Sequence, residues 1–445
     1  MSKTTRPRLT RTHARMSEHH SVQPESPAEL AELRVEGLFG RYNHVVTFPH
    51  LTEASQQPSL VILFGDNGIG KTTLLQMLDG LLELDFDVFR ARPFKRCSLL
   101  LTTGQELSVE SDGSNMPLRV AFGDKQVLLH PQRSGAFEHD QQVQVEELRA
   151  AFREARKFIA FQFIPTIRMP QRPLPPEIRD VYYHYAAGEG EGHAEARLRM
   201  KMEGMGPEHR DGTLGSQVRQ FVQEAQLNYR RFFRPESDLF ERILVAINEP
   251  ESVTYYPNDL RVTLQRIHHQ DQDHLRLGIR PEEWNYGQLR TVLSSDLAPT
   301  PLAVLGAYVD GLDARATQRK ALADRLLTFE SVMAEFLKDK TVHVDDKEGL
   351  RIETVDGTIL REEQLSSGEF HLLYLMVAAL LAQRRGTLIA IDEPEMSMHI
   401  KWQHRLVGSL IKCASNARPQ LILATHSPDI GGDYREFMVG LDGKS

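Results

Sequence analysis

The sequence predicts an α/β fold in which one parallel sheet is assembled from both ends of the chain, with a β subdomain and a helical insertion between them. Three apolar runs predict it: Leu60 to Phe64 near the start, and Leu388 to Ile391 and Leu421 to Ala424 near the end. Unbroken runs of this kind suit strands covered on both faces. Each stops abruptly, at Gly65, at Asp392 and at Thr425-His426.

With 445 residues the chain can bury a large core, and its 26% charged and 40% hydrophobic residues are ordinary for a globular protein. Its two cysteines, Cys97 and Cys413, are too few for a disulfide framework or a zinc site, so the expected setting is cytoplasmic. The longest apolar run, Leu372 to Ala382, is too short to span a bilayer, and no membrane partner is expected. A net charge of −8 argues against a surface that is nucleic-acid-seeking as a whole, though a local basic groove stays open.

Along the chain, residues 1–28 read as a disordered tail. Lys3, Arg6, Arg8, Arg11 and Arg15 lie there without the apolar stretch of a secretory signal, and a solvated leader is preferred to a nucleic-acid arm. Residues 29–165 form the first part of the head. Leu33 to Phe39 and Val45 to Phe48 read as strands, and Lys71 to Leu82 as a helix carrying Leu74, Leu75, Met77, Leu78 and Leu81 at helical spacing. Short alternating runs from Ser98 to His130, broken by Gly104, Gly113 and Gly123, predict the antiparallel β subdomain.

Residues 166–340 are the helical insertion. Val218, Phe221, Val222 and Ala225 make one apolar face, and Leu239, Phe240, Ile243, Leu244 and Ile247 a second after Pro235. Leu322, Leu326, Phe329, Val332, Met333, Phe336 and Leu337 make a third. Prolines and glycines interrupt these stripes, which predicts a packed helical subdomain and not a long coiled coil. Gly188 to Gly215 reads as a flexible loop whose His193 and His209 lack ligand spacing. Residues 341–445 complete the head, beginning with strands at Thr341 to Val344 and Leu350 to Val355.

Gly65-Asp66-Asn67-Gly68-Ile69-Gly70-Lys71-Thr72, followed by Thr73, stands between a buried strand and an amphipathic helix. That is the context of a phosphate loop. Glycines let backbone N–H groups face phosphates, Lys71 reaches the β and γ phosphates, and Thr72 ligates Mg²⁺. The nucleotide is ATP or GTP, with ATP preferred because no guanine-reading motif is evident. Asp392, at a strand end, is placed to hold Mg²⁺, and Glu393 to activate water as general base. His426 suits a hydrogen bond to the γ phosphate. Ser366, Ser367, Gly368 and Glu369 form both a capping box and a capped helix N-terminus able to meet a phosphate, and the two readings are compatible.

Gly65 to Thr72, Leu365 to Glu369, Ile391 to Glu395 and Ala424 to Pro428 together resemble the ABC-type P-loop ATPases grouped with the OLD family, the RecF-like repair proteins and the ATPase subunits of anti-phage systems. Phe163 to Arg168 and Lys401-Trp402-Gln403 are similar to the ATPase subunit of PARIS-type defence systems. The resemblance implies an ABC-type ATPase head whose signature, Ser366 to Glu369, completes the site of a second copy in an ATP-linked dimer or higher oligomer. The signature reads Ser-Ser-Gly-Glu where transporters have Ser-Gly-Gly-Gln, and the glutamine of the Q-loop is left between Gln162 and Gln171.

OLD enzymes continue into a Toprim nuclease, whereas little sequence follows His426. The expectation is therefore an ATPase acting as sensor and scaffold of an anti-phage complex. Its partner would be a separate nuclease effector, of Toprim type or another small nuclease, and its trigger a phage protein or DNA. A RecF-like repair ATPase clamping DNA is the alternative. A transporter subunit is a third reading, disfavoured by the long insertion.

Overall fold

The computed structural model describes residues 29–49, 59–113, 116–130, 139–156, 161–165, 213–232, 235–249, 254–279, 284–382, 387–414 and 418–441. The predicted tail, most of the predicted 188–215 loop with His193 and His209, and Gln171 lie outside them.

The central sheet has five strands, all parallel to their neighbours. Naming elements in chain order, β3 (Ser59–Phe64) lies beside β13 (Gln420–Thr425), which lies beside β12 (Leu388–Asp392). β14 (Met438–Gly440) pairs on the outer side of β3, and β8 (Phe161–Ile164) on the outer side of β12. The period of two divides these strands between two cores. Leu60, Ile62, Ile389, Ile391, Leu421 and Leu423 face one, while Val61, Leu63, Leu388, Ala390, Ile422 and Ala424 face the other. Both faces are covered, which is why these strands read as continuous apolar runs rather than alternating ones.

The second core is closed by α1 (Lys71–Glu83) and a six-stranded antiparallel sheet. That sheet runs in the order β2 (Tyr42–Thr47), β1 (Leu30–Leu38), β4 (Arg96–Leu101), β5 (Glu106–Ser111), β6 (Leu118–Phe122) and β7 (Lys125–Leu129). The short helix α2 (Asp87–Arg90) follows α1, and α3 (His139–Arg156) packs on β6 and β7. A buried amide ties the two sheets together. Gln420 Nε2 donates to the Leu30 carbonyl at 3.1 Å, and its Oε1 accepts from the Leu30 N–H at 3.0 Å. Both backbone groups of Leu30 are thereby hydrogen-bonded by one side chain.

The first core holds α9 (Ser367–Leu381), α10 (Ile400–Cys413), α4 (Leu214–Phe232) and the lower half of α8 (Pro299–Phe336). The upper half of α8 packs with α5 (Pro235–Asn248) and α6 (Pro257–His274), and α7 (Tyr286–Val292) packs on α6. α8 runs unbroken for 38 residues, about 57 Å, through two glycines. Gly306 and Gly311 lie where neighbours crowd the helix: a Cβ at Gly306 would sit 2.4 Å from the Tyr255 ring, and one at Gly311 3.2 Å from Leu239. Here glycine permits close packing and does not end the helix.

One correction concerns α5. Its predicted apolar face is split: Leu239 and Ile243 are partly buried with Ala246 behind them, whereas Phe240, Leu244 and Ile247 are exposed. The apolar arc is wider than the contact with α8 can cover. The first and third predicted stripes, on α4 and α8, are buried apart from Ala225, which is partly so. Leu214 and Gly215, predicted as loop, already belong to α4. No helix among the described residues is long and apolar enough to cross a membrane.

The strands after the insertion do not join the central sheet. β9 (Lys340–Asp345), β10 (Gly349–Thr354) and β11 (Ile359–Leu360) form a separate antiparallel sheet that packs on α4 and α8. Val355, predicted as strand, lies past its end and is exposed. At the tightest point Gly349 has φ +81°, and a Cβ there would lie 1.8 Å from the Gly215 carbonyl oxygen. Glu362 completes the joint, its carboxylate accepting from the N–H groups of Leu214 and Gly215 at 3.0 and 2.8 Å. Gly349→Ala is therefore expected to lower unfolding stability by about 3 kcal/mol or more, because backbone blocks the new methyl. Gly123→Ala is the control: φ is +60° but nothing lies within 4 Å, so left-handed strain alone should cost about 1 kcal/mol in the same denaturant titration.

Candidate functional site

Parallel strands deliver their following loops to one edge of a sheet, and three of the predicted motifs follow β3, β12 and β13 in adjacent positions. After β3 the chain turns through Gly65 to Gly70 into α1. Gly68 and Gly70 have φ of +86° and +97°, in the left-handed region that glycine enters without strain. α1 begins without a side-chain cap and with no acid in its first turn. Its free N–H groups and positive dipole end are thus left to an anion.

Lys71, 6% exposed, donates to the carbonyls of Gly65 and Asp66 at 2.7 and 2.9 Å, so the ammonium spans the loop whose phosphate it would meet. His44 braces the loop from below. Its Nε2 lies 3.0 Å from the Ile69 carbonyl, which can only accept, so the ring donates. Burial holds this imidazole below its ordinary pKa, with the hydrogen bond opposing, and the neutral form is favoured. Nothing in the sequence around His44 marks it for this role.

Thr72 Oγ1 lies 3.1 Å from Asp392 Oδ1, bridging the start of α1 to the end of β12. A hydroxyl and a buried carboxylate facing each other beneath the uncapped start of α1 are a hard-oxygen donor pair of the kind that suits Mg²⁺. Glu393 follows with φ +47°, a conformation that side-chain-bearing residues seldom adopt. Its N–H donates to the Ala424 carbonyl at 2.8 Å, and its own carbonyl accepts from Met396 at 3.1 Å. The strained residue is thus pinned between β13 and a tight turn, with its half-buried side chain leaving the strand end.

His426, half exposed, follows β13, and its Nδ1 lies 3.0 Å from Glu395 Oε1. Ser366 caps α9 as the capping box requires: its backbone N–H and hydroxyl both reach Glu369 Oε2 at 2.8 Å. Lys340 Nζ meets Glu369 Oε1 at 2.5 Å. Burial opposes ionisation of Glu369, but Lys340 and Ser366 outweigh it and hold the carboxyl below the usual range. Gly368 presses on the Ser397 carbonyl, where a Cβ would come within 2.4 Å. Ser366 and Ser367 are exposed. Among the described residues no hydrogen bond joins Ser366 to Glu369 with the loop from Gly65 to Thr73.

Gln162 lies inside β8, opposite Ile389 and so three residues short of Asp392 along the sheet. It does not reach the edge where the motifs meet. His371, on α9, is buried with neither ring nitrogen hydrogen-bonded among the described residues. Burial drives its pKa down to about 4, with the nearby backbone of Pro394 opposing. An imidazole kept neutral in the folded state, while the unfolded chain titrates at its ordinary value, binds fewer protons than the unfolded chain between those two values. Its stability contribution is therefore complete above about pH 6.5 and is lost as pH falls towards 4. At pH 5 the expected loss is on the order of 2 kcal/mol. His371→Leu should flatten that part of the pH–stability curve.

A protein-family model described as "AAA domain, putative AbiEii toxin, Type IV TA system" matches residues 171–430, more than half of the chain. The chain belongs to this AAA family. The matched region takes in Ser366 to Glu369, Asp392, Glu393 and His426 but not the phosphate loop, which the fold itself brings to the AAA site through the pairing of β3 with β13. The family and the parallel sheet with its phosphate loop make the chain a P-loop ATPase of the AAA type. Two solved structures are similar in outline. The Smc head domain with an extended coiled coil bound to the C-terminal domain of ScpA, from Pyrococcus furiosus, has 13% identity and a TM-score of 0.39, with 93% of each chain covered. The Smc head bound to the C-winged helix domain of ScpA has 11% identity and a TM-score of 0.36, with 93% of this chain and 94% of that one covered. No curated protein sequence matches the chain.

Proposed function

We propose that this AAA-family protein hydrolyses Mg²⁺-ATP in sites shared between two copies of the chain, and that the cycle controls a separately encoded nuclease effector in anti-phage defence. The contact between Thr72 and Asp392 beside the uncapped start of α1 carries the ATP reading. Gly65, Asn67, Gly68, Gly70, Lys71, Thr72 and Thr73 line the loop and helix start, offering N–H groups, an ammonium and hydroxyls to a triphosphate. Thr72 and Asp392 would hold Mg²⁺, which when bound neutralises charge on the phosphate oxygens. Glu393 accepts the proton of the attacking water, and His426 offers a ring N–H to the γ phosphate.

Ser366 and Ser367, exposed at the start of α9 and, among the described residues, joined by no hydrogen bond to their own phosphate loop, support a role towards a second copy's nucleotide. The family's description as a putative toxin of a type IV toxin–antitoxin system supports a defence setting. A phage protein as trigger and a Toprim-type nuclease as effector complete the proposal.

Phosphate release from ATP by the purified chain tests the enzymatic reading. Turnover that stops when EDTA removes Mg²⁺ is the expected result, and no turnover at any protein concentration would overturn it. Native pull-down from source cells tests the effector. Recovery of a nuclease whose cutting depends on the nucleotide supplied supports the control role. ATP-dependent DNA clamping without such a nuclease would replace it with the repair reading.

A further inference from the structure

Glu395 is nearly invisible from solvent, its side chain 4% exposed, yet it sits two residues beyond Glu393 and faces the loop that carries His426. Four donors converge on one of its oxygens. Oε1 accepts from the Thr425 hydroxyl at 2.6 Å and from the N–H groups of His426 and Ser427 at 3.0 and 3.3 Å, and lies 3.0 Å from His426 Nδ1. Oε2 is buried and has no partner among the described residues. Burying a carboxylate with one oxygen uncompensated is costly. A neutral acceptor would have served the two backbone N–H groups and the hydroxyl equally well. What a carboxylate supplies and an amide does not is a group that can only accept, which fixes Nδ1 as the ring nitrogen that carries the proton.

We infer that Glu395 is a positioning residue of the hydrolysis site: it holds His426 by Nδ1 so that Nε2 is left as the nitrogen presented to the γ phosphate. This rests on the role proposed above for His426. The loop is tied down from its other side as well, because Ser427 Oγ donates to Gln403 Oε1 at 2.7 Å and Gln403 Nε2 donates to the Met398 carbonyl at 3.0 Å. Its backbone is thus fixed by the turn after β12 and by α10, and Glu395 adds the ring's rotation and proton placement. The arrangement follows the rule by which a carboxylate sets the tautomer of a functional histidine.

The test uses the full chain with Glu395→Gln, His426→Ala and the double variant. Glutamine keeps the volume and an acceptor but removes the charge, and it can also donate to an unprotonated Nδ1. The expected result is a fall in kcat of about tenfold or more with KM within about twofold, since orientation in the transition state is lost and ATP binding is not. The double variant should turn over no more slowly than His426→Ala alone, because Glu395 acts through the ring. Additive losses, a rise in KM without a fall in kcat, or wild-type turnover by Glu395→Gln would each overturn the inference and leave the acid as a loop tie only.

A second readout stands apart from activity. With ¹⁵N-histidine, the His426 ring of the unaltered chain should show a protonated Nδ1, and this signature should change in Glu395→Gln. An unprotonated Nδ1 in the unaltered chain would overturn the inference even if the variants are slow or fold poorly. Absence of turnover by the unaltered chain would instead remove the hydrolysis reading, while the nitrogen spectrum still decides how the ring is held.

Discussion

Glu393→Gln should bind Mg²⁺-ATP as the unaltered chain does and hydrolyse it about a hundredfold more slowly or worse. The geometry separates the two functions. The N–H groups at the start of α1, Lys71 and the Thr72–Asp392 pair occupy the ends of β3 and β12, whereas Glu393 is turned out of the strand by its φ of +47°. The substitution keeps size and backbone and removes only the group that can take a proton from water. Nucleotide affinity by fluorescence titration and phosphate release in single turnover check it together. Unchanged turnover would remove Glu393 from the catalytic role, and lost affinity would show that its carboxylate belongs to the binding half. Lys71→Ala is the converse, weakening binding itself, because the buried ammonium that spans the loop is lost.

Ser366→Arg should abolish hydrolysis to a similar extent while each protomer still binds nucleotide, since the substituted side chain stands at the exposed start of α9 and away from the chain's own phosphate loop. The decisive measurement mixes this variant with Lys71→Ala. In a mixed dimer one site combines both lesions, and the other joins an intact phosphate loop to an intact signature. An equal mixture that exchanges freely should therefore recover about a quarter of the unaltered activity, as the statistics of a two-fold symmetric pair require. No recovery, with dimers still forming, would place the signature in its own chain's site. Full activity of Ser366→Arg alone would reduce Ser366 and Glu369 to a helix cap, a role their hydrogen bonds already perform.

Much of this site was legible because its chemistry is written in contiguous residues. Gly65 to Thr72 announces a phosphate loop through glycine spacing and its position between an apolar run and an amphipathic helix. The apolar runs before Asp392 and before Thr425 predicted strands covered on both faces, which is how the sheet buries them. Glu395 stood inside a recognised motif, but its role depends on a turn that folds it back under His426. His44 and Lys340 carried no signal, since each acts on a residue far away in sequence, Ile69 and Glu369. The apolar face of α5 was misread because periodicity reports that a face is apolar and not how much of it a neighbour covers.

By itself the sequence determined the local elements and the residue types they carry: the glycine-rich turn before α1, the acids at a strand end, the capped start of α9 and the parallel character of the core strands. These follow from spacing, propensity and burial pattern, which act over a few residues. Only the tertiary structure decided that β3 and β12 stand on either side of β13, so that Thr72 meets Asp392 across 320 positions of chain. It also decided that Gln420 joins the two sheets and that the strands after the insertion form a sheet of their own. Such pairings are chosen by the complementarity of whole buried faces, a property that no single window of residues contains.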